Sequence, residues 1–145
     1  MASTLTTNTL RCNMAVRTYR DDPADATVAR VIAWVDMRDY AHFLAVLTFM
    51  SGTGVLSFRI LASAAADGSS PVEVKAHATA SDADAANDQL VLECSTDELN
   101  SVGENLRYIG VEVDNDAAND INAVTYARTH PRYASSTLLT DDVIA

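Results

Sequence analysis

The stretch that decides the fold is HFLAVLTFM, residues 42–50, because apolar residues occupy both of its alternating faces. The turn SGTG follows at residues 51–54, and then VLSFRILA at residues 55–62 alternates apolar with polar residues. A period of two residues is typical of β-strands, and glycines mark the turns between them. We therefore predict a central strand covered on both sides, with these residues in the core: Phe43, Leu44, Val46, Leu47 and Phe49.

Short alternating segments and turns continue on both sides of this hairpin. Residues 28–37 alternate so as to place Ile32 and Trp34 on one face, and the turn DGSSP at residues 67–71 precedes another short strand. Ser95 and Glu98 have the spacing of a helix capping box, with Gly103 placed to end that helix. The remaining strands are predicted at residues 72–76, 89–94, 106–113 and 121–129.

This spacing of strands and turns favours an all-β fold over an alternating α/β fold. We predict an antiparallel β-sandwich, jelly-roll-like, with one short helix and extended termini. The polar residues 1–26 form an N-terminal arm with a possible edge strand, which the run Asp21-Asp22-Pro23 ends. Residues 27–132 form the sandwich domain and residues 133–145 a C-terminal tail.

The charge balance narrows the classes of partner. The chain has 145 residues, 48% of them hydrophobic, with 20 Asp and Glu against 10 Lys and Arg and a net charge of -10. Binding to nucleic acid or anionic membranes needs clustered Lys and Arg, so neither is expected as a partner. No charged and apolar leader opens the chain, and the apolar run at residues 43–50 is too short to span a bilayer. We expect one soluble, acidic domain.

No motif points to catalysis or to a cofactor. Cys12 and Cys94 are far apart and form neither a disulfide framework nor a metal motif. The sequence G-x-S-x-G is absent, and His42, His77 and His130 fall on or beside separate predicted strands. We interpret the histidines as surface or edge residues and expect neither enzyme activity nor a cofactor.

The pentapeptide Asp-Ala-Ala-Asn-Asp occurs twice, at residues 84–88 and 116–120, each time before a predicted strand. Calcium takes about six to eight oxygen ligands, which such loops supply in principle. Both copies lack the glycine and the closing glutamate of an EF-hand, and Asp and Asn also cap turns for local reasons. We expect metal-free turns, the weak candidate ligands being Asp84, Asp88, Asp116 and Asp120.

Two groups of segments carry a family resemblance. The first group consists of residues 43–48, the Gly52–Gly54 turn, a strand ending at Ala62-Ser63, and Asp67-Gly68-Ser69. The second group consists of LRYIGVEV (106–113) and AVTYARTHPR (123–132). Together they resemble small β-sandwich virion proteins of tailed bacteriophages, several of them head decoration or cement proteins. In that family an Arg-Tyr strand with alternating valines precedes a last strand closing on Arg-x-x-Pro-Arg. The second Asp often seen before Asp67-Gly68 is missing here, and the Asp-rich loops are a departure from the family pattern that leaves the metal content open.

The resemblance implies a capsid decoration protein of the virion, assembled in the host cytoplasm, with the major capsid protein as partner and a trimer as oligomer. Polar segments at both ends suit arms that become ordered on docking. Another virion part, in the tail or the head–tail connector, is one alternative. A carbohydrate-binding β-sandwich module with Trp34 and Tyr residues as stacking platform is another. The contact candidates are Ser3, Leu5, Leu10, Arg11, Arg17, Tyr19, Tyr133, Leu138 and Leu139.

Overall fold

The computed structural model describes residues 15–20, 29–117 and 120–131. These contain one α-helix, α1 (Thr96–Val102), and a 3-10 turn at Ala80–Asp82. The strands are β1 (Ala15–Arg20), β2 (Arg30–Asp36), β3 (Tyr40–Ser51), β4 (Val55–Ser63), β5 (Val72–Ala76), β6 (Gln89–Ser95), β7 (Tyr108–Asn115) and β8 (Ile121–Pro131).

The strands form two antiparallel four-stranded sheets that pack face to face. Sheet A has the order β1-β8-β3-β6 and sheet B the order β2-β7-β4-β5. Four strand pairs are nested in the sequence, from the outermost to the innermost: β1–β8, β2–β7, β3–β6 and β4–β5. These pairs alternate between sheet A and sheet B, as when one long hairpin folds over on itself. Two further pairs, β3–β8 and β4–β7, complete the sheets. This is the jelly-roll order, so the predicted fold class is confirmed.

Strand β3 supplies much of the core, and it is central in sheet A, between β8 and β6. Its inward residues include Phe43, Leu47 and Phe49, each at most 2% exposed. They face the inward residues of sheet B across the sandwich, such as Phe58 and Ile60, which are fully buried. Burial of each such side chain contributes about 1.5–3 kcal/mol, so this interior accounts for the layered architecture.

The prediction that β3 is covered on both sides is wrong. Leu44 and Val46 lie on its outer face and are only half-buried, and Met50 is 46% exposed. A two-layer sandwich covers one face of each sheet, and no described residue forms a third layer over sheet A. The apolar outer residues of β3 are therefore surface residues.

The predicted face of Trp34 is also wrong, because β2 contains a bulge. Ile32 pairs with Val111 and Val35 with Ile109, so two residues, and not one, separate consecutive inward positions. Val35 then packs against the core beside Ile32, while Trp34 lies on the outer side of sheet B. Bulges of this kind re-aim a side chain without ending the strand.

Helix α1 begins and ends where the sequence predicts. The Ser95 hydroxyl accepts a hydrogen bond from the Glu98 N–H at 3.2 Å, and the Glu98 carboxylate accepts one from the Ser95 N–H at 2.8 Å. Gly103 is the C-cap, and its N–H donates to the Leu99 carbonyl. The helix buries Leu99 in the core, and Lys75 reaches it from β5 with a 2.6 Å ion pair to Glu98. The capping box is confirmed.

Candidate functional site

The outer sides of β3, β6 and β8 in sheet A are apolar and almost free of charge. In the register of the sheet, Val46 lies between Val91 of β6 and Thr125 of β8, and Leu44 lies between Glu93 and Ala127. Among the outward positions of β3, β6 and β8, Glu93 is the one that carries a permanent charge. We call this surface the neutral face and define it by Leu44, Val46, Thr48, Met50, Val91, Ala123 and Thr125.

The neutral face is accessible as well as apolar. Val91 is 47% exposed and Met50 46% exposed, while Leu44, Val46 and Thr125 are half-buried by their neighbours in the sheet. Large exposed apolar side chains that form a contiguous patch mark interaction surfaces far more often than isolated ones do. The depletion of charge is typical of the centre of a protein interface.

The outer face of sheet B differs from the neutral face because it carries a group of ion pairs. Arg59 of β4 lies opposite Glu112 of β7 and forms ion pairs with Glu112 and, at 3.3 Å, with Glu73. These charged groups are paired and partly exposed, and such pairs contribute little to stability but favour contact with water. The two outer faces thus divide the surface into a charged side and a neutral side.

The two copies of the pentapeptide share two hydrogen bonds between their first alanine and their last Asp. The Asp88 carboxylate accepts a hydrogen bond from the Ala85 N–H at 2.9 Å, and the Asp120 carboxylate accepts one from Ala117 at 2.8 Å. In each copy the N–H of the last Asp donates to the carbonyl of the same alanine. The last Asp of each copy therefore caps its turn in the same way.

The two copies flank the β3–β4 turn at one end of the sandwich. The Asn87 N–H donates to the Phe49 carbonyl at 2.8 Å, and the Asp116 N–H donates to the Gly54 carbonyl at 3.0 Å. Gly52 must be glycine, because its φ is +127° and an added Cβ would lie 1.9 Å from Asp120 Oδ1. Backbone and carboxylate hydrogen bonds therefore connect both Asp-rich loops to the β3–β4 hairpin at this end of the sandwich.

Asp120 is the most enclosed acid of this end, with 0% exposure. Burial alone would raise its pKa, but hydrogen bonds from the Thr53 and Ala117 N–H groups and the Thr53 hydroxyl together lower the pKa below its ordinary value. Beside it, the buried Asn122 amide donates to Asn115 Oδ1 at 2.7 Å. Asp120 therefore acts as an ionised structural acceptor.

Of the four weak metal candidates, Asp88 and Asp120 are occupied as turn caps, while Asp84 and Asp116 are exposed. Within residues 15–20, 29–117 and 120–131, no three His, Cys, Asp or Glu side chains are grouped to hold a metal ion. Metal-free loops stay a prediction.

The opposite end of the sandwich carries an arginine cluster. Arg107 makes a bidentate contact with Asp36, with Nε to Oδ1 at 2.8 Å, and this hydrogen bond lowers the pKa of Asp36 to about 2. Arg128 donates from Nη1 to the Asp36 carbonyl at 2.8 Å and lies over the ring of Tyr40 at 4.6 Å. Because Arg128 belongs to sheet A and Asp36 to sheet B, the cluster ties the sheets together. A shallow pocket of about 200 Å³ opens beside it, lined by Met37, Arg38, Thr96, Leu99, Asn100, Leu106 and Arg107.

Trp34 is half-buried and not an open stacking surface. Its indole packs against Gly110 of β7 and against Gly68, since a Cβ at Gly68 would lie 1.8 Å from Trp34 Cε2. The loop that carries Gly68 is held to sheet B by a hydrogen bond from the Ser63 hydroxyl to the Ser69 carbonyl at 2.7 Å. The Trp34 ring thus packs with Gly68 and Gly110 in a small contact cluster on the outer side of sheet B.

Three of the other residues named in the sequence analysis, Cys94, Arg17 and Tyr19, lie in the described part of the chain. Cys94 is a buried thiol, and burial raises its pKa to about 11, so it packs as an apolar residue. Arg17 and Tyr19 belong to β1, with Tyr126 and Val124 as their Cα partners. The other contact candidates lie outside the described residues: Ser3, Leu5, Leu10, Arg11, Tyr133, Leu138 and Leu139.

Sequence reasoning missed the neutral face and the pairing of His42 with His130, whose ring centroids are 4.7 Å apart. Both depend on strand register between β3 and β8, which no local pattern specifies. The charge-poor outward positions of β3 are visible in the sequence, where the same pattern predicts a second buried face.

No family model matches the sequence, and no curated protein matches it either. Solved structures show a distant likeness in fold. A mitogen from Yersinia pseudotuberculosis is 15% identical, with 86% of this chain and 92% of that chain covered and a TM-score of 0.46. A Bacillus endospore appendage that forms disulfide-linked pili is 12% identical, with 81% of this chain and 88% of that chain covered and a TM-score of 0.39. A chain of the infectious bursal disease virus Gx strain is 14% identical, with 82% of this chain but 33% of that chain covered and a TM-score of 0.38. Likenesses at this level carry no argument about function.

Among the residues described, no helix has the length and hydrophobicity needed to cross a membrane.

Proposed function

We propose that this protein is a structural component of a virus particle, a capsid decoration protein that binds the outer surface of the shell and stabilises it. The family resemblance of residues 28–132 suggests this role, and the jelly-roll sandwich is compatible with it. The major capsid protein is the proposed partner, and a trimer the proposed oligomer.

The observation that carries the proposal is the contrast between the two outer faces. The chain has a net charge of -10, yet Glu93 is the charged residue among the outward positions of three of the four strands of sheet A, β3, β6 and β8. We infer that the neutral face is covered in the assembled state and that the charged face of sheet B remains in water.

Binding of this kind stabilises a shell by mass action, because the protein binds the assembled form and not the separated subunits. A specific contact needs roughly 1,000 Å² of buried surface, and arms from residues 1–14 or 132–145 would extend what the sheet face provides. Several copies around a symmetry axis add avidity without a new type of contact.

The test is co-sedimentation with undecorated shells of the partner capsid protein. Val91→Glu places a charge on the neutral face, and Leu56→Glu places one on β4, where Leu56 is 55% exposed. We expect Val91→Glu to weaken capture by about tenfold or more, since an unpaired charge in an interface costs well over 1.4 kcal/mol, and Leu56→Glu to bind as the parent does. Equal binding by the two variants, both shown to be folded by circular dichroism, would exclude the neutral face as the docking surface.

A second variant tests the arm. Deleting residues 1–13 stops short of β1, which begins at Ala15, and so leaves the edge of sheet A in place. We expect the sandwich to melt at the parent temperature while capture by shells weakens. Equal capture would remove the arm from the mechanism, and no capture by any form, parent included, would contradict the decoration role itself.

A further inference from the structure

His42 and His130 are brought together by the pairing of β3 with β8. Thr129 is the Cα partner of His42, and the rings of His42 and His130 lie 4.7 Å apart, centroid to centroid, with 59° between their planes. Both side chains are exposed to solvent. The two imidazoles therefore share one small surface site in sheet A, where β3 begins and β8 ends.

The backbone of His130 departs from strand geometry. Adjacent residues of an extended strand point to opposite faces of the sheet, so His130 would ordinarily point away from the side on which Thr129 and His42 lie. Its φ of +56° interrupts that alternation, and the ring lies beside that of His42. A positive φ costs a non-glycine residue energy, which the surrounding fold must offset.

From this geometry we propose that His42 and His130 form a two-histidine site for a divalent transition-metal ion such as Zn²⁺. Imidazole nitrogens bind Zn²⁺ at about 2.0–2.1 Å, and two rings in contact can direct one nitrogen each to a common ion. Water would supply the remaining ligands, because no third His, Cys, Asp or Glu joins the group within the described part of the chain. The net charge of -10 favours the approach of a cation to the surface.

Thr129 acts as a positioning residue in this site. Its hydroxyl lies 3.0 Å from Nδ1 of His130, and that contact leaves Nε2 as the ring nitrogen available to a metal. Histidines that bind metals commonly use their second nitrogen in this way, and losing such a partner weakens metal binding by about 10–100-fold.

The experiment is a titration of the full chain with Zn²⁺, in which binding is measured by calorimetry and by the NMR signals of the histidine rings. We expect one Zn²⁺ per chain, with the His42 and His130 rings shifting together. His42→Asn and His130→Asn should each abolish this binding, Thr129→Val should weaken it, and His77→Asn should leave it intact. His77 is the matched control because it is the third histidine of the chain and has no histidine neighbour among the residues described.

Zn²⁺ binding that persists in both His42→Asn and His130→Asn would overturn the proposal, as would the absence of any shift of their rings at millimolar Zn²⁺. Ca²⁺ serves as the second probe, because it prefers oxygen ligands. If Ca²⁺ moved the two rings as Zn²⁺ does, the effect would be electrostatic and the imidazoles would not be ligands.

Discussion

Asp120 and Thr53 are 67 positions apart in the chain, and the buried carboxylate of Asp120 accepts hydrogen bonds from the backbone N–H of Thr53 at 2.5 Å and from its hydroxyl at 3.1 Å. Asp88 occupies the equivalent position in the first copy of the repeat and caps its own turn in the same way. The two aspartates thus make the same local hydrogen bonds but differ in their tertiary role. Asp120 additionally joins the β3–β4 turn to the loop between β7 and β8.

This difference predicts unequal effects of the same substitution. Asp120→Asn keeps the size of the side chain but loses the charge that strengthens several hydrogen bonds in a buried place, so we expect the free energy of unfolding to fall by about 1–3 kcal/mol. Asp88→Asn should lower the free energy of unfolding by clearly less, because Asp88 is only half-buried. Urea denaturation of both variants checks the prediction, and equal losses would contradict it.

Stability should also depend on pH in the acid range. The hydrogen bond from Arg107 lowers the pKa of Asp36 from 3.8 to about 2, and backbone N–H groups lower the pKa values of Asp67 and Asp120 as well. A lowered folded-state pKa gives stability that is fully present above the unfolded value and is lost as pH falls through the folded one. We expect the urea midpoint to be level near neutrality and to decline from about pH 4 towards about pH 2. Asp36→Asn should make that decline shallower, and an unchanged slope would contradict the assignment.

Local patterns predicted the elements of the fold well. The alternation in residues 55–62, the glycine turn at residues 51–54 and the Ser95–Glu98 box each depend on residues that are neighbours in the chain, so propensity and capping determine them. The jelly-roll order was predicted only as a class, since pairing of β1 with β8 depends on which distant strands meet. The sequence also holds no local signal for the bulge that turns Trp34 outward.

The candidate site was less predictable for the same reason. An apolar outer residue such as Val46 has the same pattern in a buried strand as in one that faces a partner protein. His42 and His130 are far apart in sequence, and their contact depends on a register that a shift of one residue would destroy. Asp36 and Arg107 meet across the β2–β7 end of sheet B, which no spacing in the chain reveals.

The two faces of β3 give a direct comparison of adjacent residues. Phe49 is 1% exposed and faces the core, while Met50 is 46% exposed on the neutral face. We expect Phe49→Ala to cost about 3–5 kcal/mol, because it leaves a cavity in a packed interior, and Met50→Ala to change stability by less than about 1 kcal/mol. Denaturant midpoints of the two variants measure this difference. Similar losses of stability in Phe49→Ala and Met50→Ala would mean that β3 is covered on both sides.

Gly68 is required by the packing of Trp34. Its φ is +74°, and an alanine Cβ would lie 1.8 Å from Trp34 Cε2 and 2.0 Å from Nε1, so Gly68→Ala must displace the indole as well as strain the backbone. We expect a loss of about 1–3 kcal/mol, together with a red shift in the fluorescence of Trp34, the one tryptophan of the chain.

Gly103→Ala is the matched control for this last change. Gly103 has an extended backbone, with φ of -174°, and an added Cβ would meet only the flexible end of the Leu106 side chain, at 3.0 Å. Emission should therefore stay at the parent wavelength in Gly103→Ala. If Gly68→Ala also left the emission unchanged, Trp34 would already be open to solvent. Its ring would then be available for stacking on a sugar, and the carbohydrate-binding alternative would gain over a packing role for this residue.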